Sequence, residues 1–284
     1  MHLRPLPTLA SAPANSLPAL FRPSARGRSL WLTALPLDCY GWLLARDHWC
    51  TAVALRYLLP QPFLPPVCGC GSVNSVPHAL NCKTGGHVVR RHNRVVRNLH
   101  AAICSVAPSW LEPVIAPVLP GTHFRHSTTN AQPGARSDIL AENLLDPHLD
   151  SYIDVVVIGP SHADLAGQLR NSEMRKHREY GEGAVMEGRT FSAFACSTSG
   201  AMGEEARRLV QLVARRRAED SGLPYGPCVL ALRLGLCFSL LRSALDSLLG
   251  PHVPVKPTQR PVDTMSVCRA LVTAWARVDR ATES

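Results

Sequence analysis

Acidic residues are missing where basic ones are dense. Between Asp47 and Glu112 the 284-residue chain has no Asp or Glu, although the whole sequence carries 21 acids, 30 Lys and Arg and 12 His, for a formal charge of +9. A segment of that kind attracts polyanions and has no counter-ions of its own. Long uncharged apolar runs are also missing. The longest apolar stretch, Cys228 to Leu248, is interrupted by Arg233, Arg242 and Asp246, which suits a core helix better than a bilayer span. The opening residues, Met-His-Leu-Arg-Pro-Leu-Pro, lack the continuous apolar core of a secretory signal. The ten Cys are therefore expected in a reducing compartment, most of them as buried thiols such as Cys196 and Cys237. Charged residues make up only 18% against 46% apolar, which excludes a wholly disordered or acidic solvating chain. No internal repeat is visible.

Proline is in excess. Ten of the 24 precede Cys68, so the first quarter is expected to be poor in regular structure. Residues 1–30 are expected to form a disordered arm, and 31–67 a Trp-bearing linker with short helices. Residues 1–37 hold Arg, Ser and Pro without acids and superficially suit an organelle import peptide, but prolines every few residues oppose the amphipathic helix such a peptide needs. A cysteine cluster follows at 68–82, then an amphipathic helix from about His87 to Ile103. These form a unit over 68–106. Over 107–250, after a Pro-containing connector at 107–135, the pattern predicts strands at Asp138–Glu142 and Tyr152–Ile158, a helix at 163–180, a strand at 190–196, and helices at 202–218 and 228–248. A last helix is expected around 263–278, within a C-terminal tail over 251–284. Strands alternating with helices indicate an α/β or α+β fold.

Cys68 and Cys70, His78 after seven intervening residues, and Cys82 after three more make a Cys-Cys-His-Cys set within one short loop. Tetrahedral zinc takes such ligands, and small zinc knuckles of this kind grip nucleic acid. The one-residue gap between Cys68 and Cys70 is unusual for a zinc pair, and ordinary thiols with a loop His are the alternative. On the following helix Val88, Val95, Leu99 and Ile103 share a face, while Arg90, Arg94 and Arg97 share the opposite one. With Arg91 they form a row suited to successive phosphates. A merely solvated basic face is the bland alternative.

Asp138 and Asp154 stand at the edges of two strand-like runs, separated by about the length of a hairpin that would bring them together. Two such carboxylates can hold Mg2+ for attack on a phosphodiester, and Lys176, three residues after Glu173, can offset phosphate charge. Solvated edge acids and a Glu173–Lys176 surface pair are the ordinary reading of the same residues.

Taken together, Cys68-Gly-Cys70-Gly, His78-Ala-Leu-Asn-Cys82-Lys-Thr-Gly-Gly and Arg91-His92-Asn93 resemble the C-terminal region of site-specific non-LTR retrotransposon polyproteins, closest to the spliced-leader-inserting CRE/SLACS group. The likeness spans roughly residues 30–245, with Trp31-Leu-Thr-Ala-Leu-Pro36 similar to the segment that links reverse transcriptase to knuckle. The resemblance implies a CCHC zinc knuckle before a restriction-endonuclease-like PD-(D/E)XK core. Its (Arg/Lys)-Pro-Asp motif falls on Arg136-Ser137-Asp138, its second acid on Asp154, and its Lys-x-x-Lys-Tyr helix on Lys176, Glu179 and Tyr180. It thereby implies that Asp138 and Asp154 bind Mg2+ and that Lys176 assists hydrolysis of one DNA strand, the nick priming reverse transcription. Arg136 and Tyr180 join Arg90, Arg91, Arg94 and Arg97 as expected nucleic-acid contacts. DNA or RNA is the expected partner, with a reverse transcriptase-bearing polyprotein as a further one, no membrane, and a nuclear location. Ser137 in place of Pro, Glu179 in place of Lys and Val156 in place of the usual Lys depart from the pattern. No Tyr-x-Asp-Asp polymerase motif occurs, so the chain is expected to be a piece separated from the polymerase, and a catalytically inactive nucleic-acid-binding remnant is the alternative function.

Overall fold

A computed structural model describes residues 30–34, 42–61, 63–115, 135–159, 164–250, 266–267 and 269–273. The expected arm over 1–30, and all but the helical residues 266–267 and 269–273 of the last helix, lie outside these or at their edge.

The β-branched run after Asp150 gives the central strand. Leu30–Thr33 (α1), Arg46–Arg56 (α2), Val76–Asn81 (α3) and His87–Ile103 (α4) precede a run of short strands: Ser109–Leu111 (β1), Val114–Ile115 (β2), Ala135–Arg136 (β3) and Ile139–Ala141 (β4). Then come Ser151–Ile158 (β5), Leu165–Lys176 (α5), Glu182–Met186 (α6), Thr190–Ser197 (β6), Glu204–Ser221 (α7) and Tyr225–Leu249 (α8). The sheet has the order β1-β4-β5-β6. Its first two pairings are antiparallel and β5–β6 is parallel, while β2 and β3 make a separate ribbon. A parallel pair needs a crossover, and α5, a π-helical turn at His177–Gly181 and α6 supply it. The fold is thus mixed α/β, mostly helical, as expected in class. The connector at 107–135 holds β1, β2 and the start of β3, which are too short to leave a periodic signal.

The helix bounds His87–Ile103 are those the sequence pattern predicts. Gly85 and Gly86, both at positive φ (81° and 70°), turn the chain into α4 through a conformation that side-chain-bearing residues resist. Val95, Leu99 and Ile103 are buried as expected. The main core cluster runs from Trp31 through α4, β4, β5, β6 and α7 to α8, so packing is continuous across the expected boundary at 106/107. Helix α8 is long and apolar enough to cross a membrane by length and composition, but most of its surface is buried among the other helices. Cys196, Cys228 and Cys237 are buried thiols.

The basic row of α4 is where sequence and structure part. Arg91 is buried, and its guanidinium donates to the Leu80 carbonyl oxygen of α3 at 2.7 Å. Arg94 donates to Asp246 Oδ2 at 2.8 Å and to Ser243 Oγ at 3.0 Å, both on α8. These two are therefore packing residues and are not free to meet phosphate. Arg90 and Arg97 remain exposed. The helical spacing of the arginines is as expected, but α8 packs on the same side and supplies an acid from about 150 residues away in sequence.

Candidate functional site: a carboxylate pair and a cysteine–histidine cluster

Among the described residues, the side chains singled out by the sequence gather in two places. The first is built on the β4–β5 hairpin. Ile139 pairs with Ile153, which sets Asp138 opposite Asp154, one step beyond the last paired residues of β4. Ser137 fixes this entry by donating from Oγ to the Ile153 carbonyl oxygen at 2.9 Å. A proline at that position could not make this bond, so the serine has its own means of holding the strand end.

Asp154 is buried within β5, and its Oδ2 lies 2.9 Å from Lys176 Nζ. Lys176 is the last residue of α5, where the π-helical turn begins, and π turns often mark sites of function. The Lys176 ammonium also sits 3.5 Å from Glu179 and over the Tyr180 ring at 4.9 Å. Glu173 does not pair with it. Its Oε1 accepts the Glu205 N–H at 3.1 Å, so a carboxylate from α5 caps the start of α7, where unpaired N–H groups favour negative charge. Gly203 permits this approach, since a Cβ there would meet Glu173 Oε1 at 1.9 Å.

Asp138 Oδ2 accepts the Val155 N–H at 2.6 Å and lies 3.3 Å from His92 Nε2. His92, on α4, is the residue that sequence reasoning missed as a site member. Its partner is 46 positions away, and only its place in the Arg-His-Asn triplet hinted at a role. The site thus brings together Asp138, Asp154 and Lys176, and adds His92.

The electrostatics follow from two acids side by side. Burial pushes the Asp154 carboxyl up to about 7, and the neighbouring Asp138 charge adds to this, while Lys176 and His92 oppose it. Burial works against a charged His92, but hydrogen bonding to Asp138 and its negative charge outweigh that and raise the imidazole to about 9. Burial also disfavours a charged Lys176, yet Asp154, Glu179 and Asp138 raise it on balance. The His92 shift has a defined sign. An imidazole raised above 6.5 favours the folded state fully below that pH, and the benefit disappears as pH rises through about 9. Without added divalent ions, the His92 ring resonance should titrate near 9 by NMR and move towards 6.5 in Asp138→Asn. A midpoint unchanged by that substitution would remove Asp138 as the cause.

Tyr180 is buried beneath Lys176, beside Phe191 at 6.0 Å between ring centroids. Burial is the main reason its phenol is pushed above its usual range. It is a floor of the site, and the expectation that it contacts nucleic acid is corrected by that burial. Arg136 donates to the Glu112 carbonyl oxygen at 2.8 Å, tying β3 to the preceding turn.

The second place is the cluster Cys68, Cys70, His78 and Cys82, whose ligand atoms all lie within 4.8 Å of one another. Cys68 Sγ is 3.6 Å from Cys82 Sγ, and Cys70 Sγ is 3.3 Å from His78 Nε2. Tetrahedral zinc with sulfur bonds near 2.3 Å places thiolates about 3.8 Å apart, so the set can hold a metal ion such as zinc. The short Cys-Gly-Cys gap is accommodated by a tight turn, with Gly71 N–H donating to Cys68 O at 2.8 Å and Cys68 N–H to Ser72 O at 2.9 Å. Hydrogen bonds from Ser72 pull the Cys70 thiol down to about 6, which favours the thiolate a metal needs. Ser75 Oγ accepts the His78 N–H at 3.2 Å and starts α3, which carries His78 and delivers Cys82 at its end.

No protein-family model matches the chain, and no curated protein matches it.

Proposed function

We propose that the chain is a metal-dependent DNA endonuclease with a restriction-endonuclease-like PD-(D/E)XK core and an attached zinc knuckle, derived from the CRE/SLACS-like group of non-LTR retrotransposons. The observation that carries this reading is the convergence of Asp138, Asp154 and Lys176 at one end of the β4–β5 hairpin. Two neighbouring carboxylates, of which one is buried, are costly to keep ionised. They fit a bound divalent cation, which offsets their repulsion. Asp138 and Asp154 would hold Mg2+, which would supply Lewis-acid stabilisation of a phosphodiester under attack. Lys176 would hold a positive charge beside the scissile phosphate and orient the attacking water. His92 holds Asp138, and the buried Tyr180 ring lies under the lysine ammonium. Arg90 and Arg97, with Lys83 beside the knuckle, are exposed cations that suit contact with DNA or RNA.

An inactive nucleic-acid-binding remnant is the second reading, and the observation favouring it is Glu179. Its carboxylate lies 3.5 Å from Lys176 and competes with phosphate for the same ammonium. Supercoiled plasmid incubated with the full chain and Mg2+ separates the two. The nuclease reading expects nicked circles from the unaltered protein and a loss of roughly a hundredfold or more in Lys176→Met. Plasmid that is bound but never nicked favours the remnant.

A further inference from the structure

Lys176 is held on both sides by one residue of another helix. Glu205 lies in the first turn of α7, and its backbone N–H goes to Glu173 Oε1 at 3.1 Å, one helical turn before the lysine. Its side chain goes to the residue directly after the lysine: His177 Nε2 lies 2.8 Å from Oε1 and 2.9 Å from Oε2. An ionised carboxylate only accepts, so the ring N–H donates to it. The same Oε2 accepts the Ala193 N–H at 2.9 Å and the Ser192 hydroxyl at 3.2 Å.

A Glu–His pair near the surface ordinarily contributes little, and this one is only partly buried. Two features set it apart. The first is the strand it reaches. β6 is the outer strand of the sheet, so the Ala193 N–H that Glu205 accepts faces away from β5 and has no strand to pair with on that side. Ala193 is also the ladder partner of Asp154. Glu205 therefore joins the strand beside the buried acid to the helix that carries the lysine. The second is the backbone of that helix. His177 opens the π-helical turn that ends at Gly181, and such a turn is a rare widening of a helix, found often at functional sites. The His177 ring, bonded to Glu205 and edge-on to Phe191 at 5.1 Å between centroids, anchors the chain where the widening starts.

Resting on the nuclease reading, we infer that Glu205, acting through His177, is a positioning residue that fixes the turn from which the Lys176 ammonium meets Asp154 at 2.9 Å. Its part is to set where the ammonium stands, not to exchange protons with substrate. Misplacing a catalytic group by about 1 Å is worth up to about a hundredfold in rate. A bond one residue from the lysine thus has a kinetic consequence well above its contribution to stability.

The test uses the full chain with its knuckle loaded with zinc. The Lys176 side chain is 16% exposed and Lys83 is open to solvent. Acylation of each by an N-hydroxysuccinimide ester, read by mass spectrometry, therefore reports the position of Lys176 whether or not the protein is active. His177→Leu keeps an apolar group beside Phe191 and removes the bond. It should raise Lys176 labelling about tenfold relative to Lys83 and lower the plasmid-nicking kcat about tenfold or more at unchanged KM. His177→Gln, which restores a donor, should return both towards the unaltered protein. In a Lys176→Met background, His177→Leu should have no further effect on nicking. Should His177→Leu fail to fold, Glu205→Gln, which keeps an acceptor for Ala193, carries the same comparison. Unchanged labelling in the folded variant, or an equal loss of nicking with and without Lys176, would overturn the inference. Labelling that responds as expected in a protein that never nicks plasmid would uphold the positioning role and sink the nuclease reading instead.

Discussion

Asp154→Ala is expected to abolish plasmid nicking, by about a thousandfold or more, while leaving the fold intact. The argument rests on the cost of keeping this carboxylate. It is buried in β5, beside the charge of Asp138, and its carboxyl is raised from 3.8 to about 7. Between those values the folded protein holds the proton that the unfolded chain has released. Stability therefore falls as pH rises from about 4 to 7, and at higher pH the ionised group is a burden. Asp154→Asn removes the charge and keeps the shape. Without added divalent ion it should raise the melting temperature at pH 8 more than at pH 5. A residue that lowers stability when ionised, and whose removal ends activity, is present for chemistry. A variant that nicks normally, or that melts lower at pH 8, would show that Asp154 is a packing residue.

Cys82→Ser is expected to lose one bound zinc per chain and to lower the melting temperature of the whole protein, by about 10 °C or more. The effect should reach beyond the loop because the knuckle is not a free appendage. Leu80 and Ala79 of α3 pack with Leu55, Ala244 and Leu248, and the buried Arg91 guanidinium is bonded to the Leu80 carbonyl. Loss of the metal frees α3, and this leaves the buried Arg91 cation without its acceptor, a costly state. Atomic absorption and thermal denaturation followed by circular dichroism measure both outcomes. A variant that keeps its melting temperature after losing zinc would mean that the packing of α3 needs no metal.

The legible parts were those fixed by local spacing. The ligands of the knuckle lie within fifteen residues, α4 has a strong helical period, and the β-branched run of β5 announces a buried strand. The hairpin length that would bring Asp138 to Asp154 could also be counted. What the spacing did not carry was the identity of the neighbours. Arg94 looks exposed until Asp246 and Ser243 arrive from α8. His92 looks like a spacer between arginines until the hairpin packs beneath it. Glu173 and Lys176 suit a surface pair at helical spacing, yet they diverge, one to the start of α7 and the other to Asp154. In each case the partner is remote in the chain, and pattern reasoning has no access to it.

Helix α4 carries Arg91 and His92 as consecutive residues, one bonded to the knuckle and the other facing the carboxylate pair. Knuckle and hairpin are therefore not separable cassettes. A truncation starting after Ile103 would discard the imidazole, bare the apolar flank of α8 and strand the sheet, while one ending there would expose the same flank from the other side. The unit that can be moved intact therefore runs from Trp31 to the end of α8, and a break anywhere inside it is expected to cost the whole core.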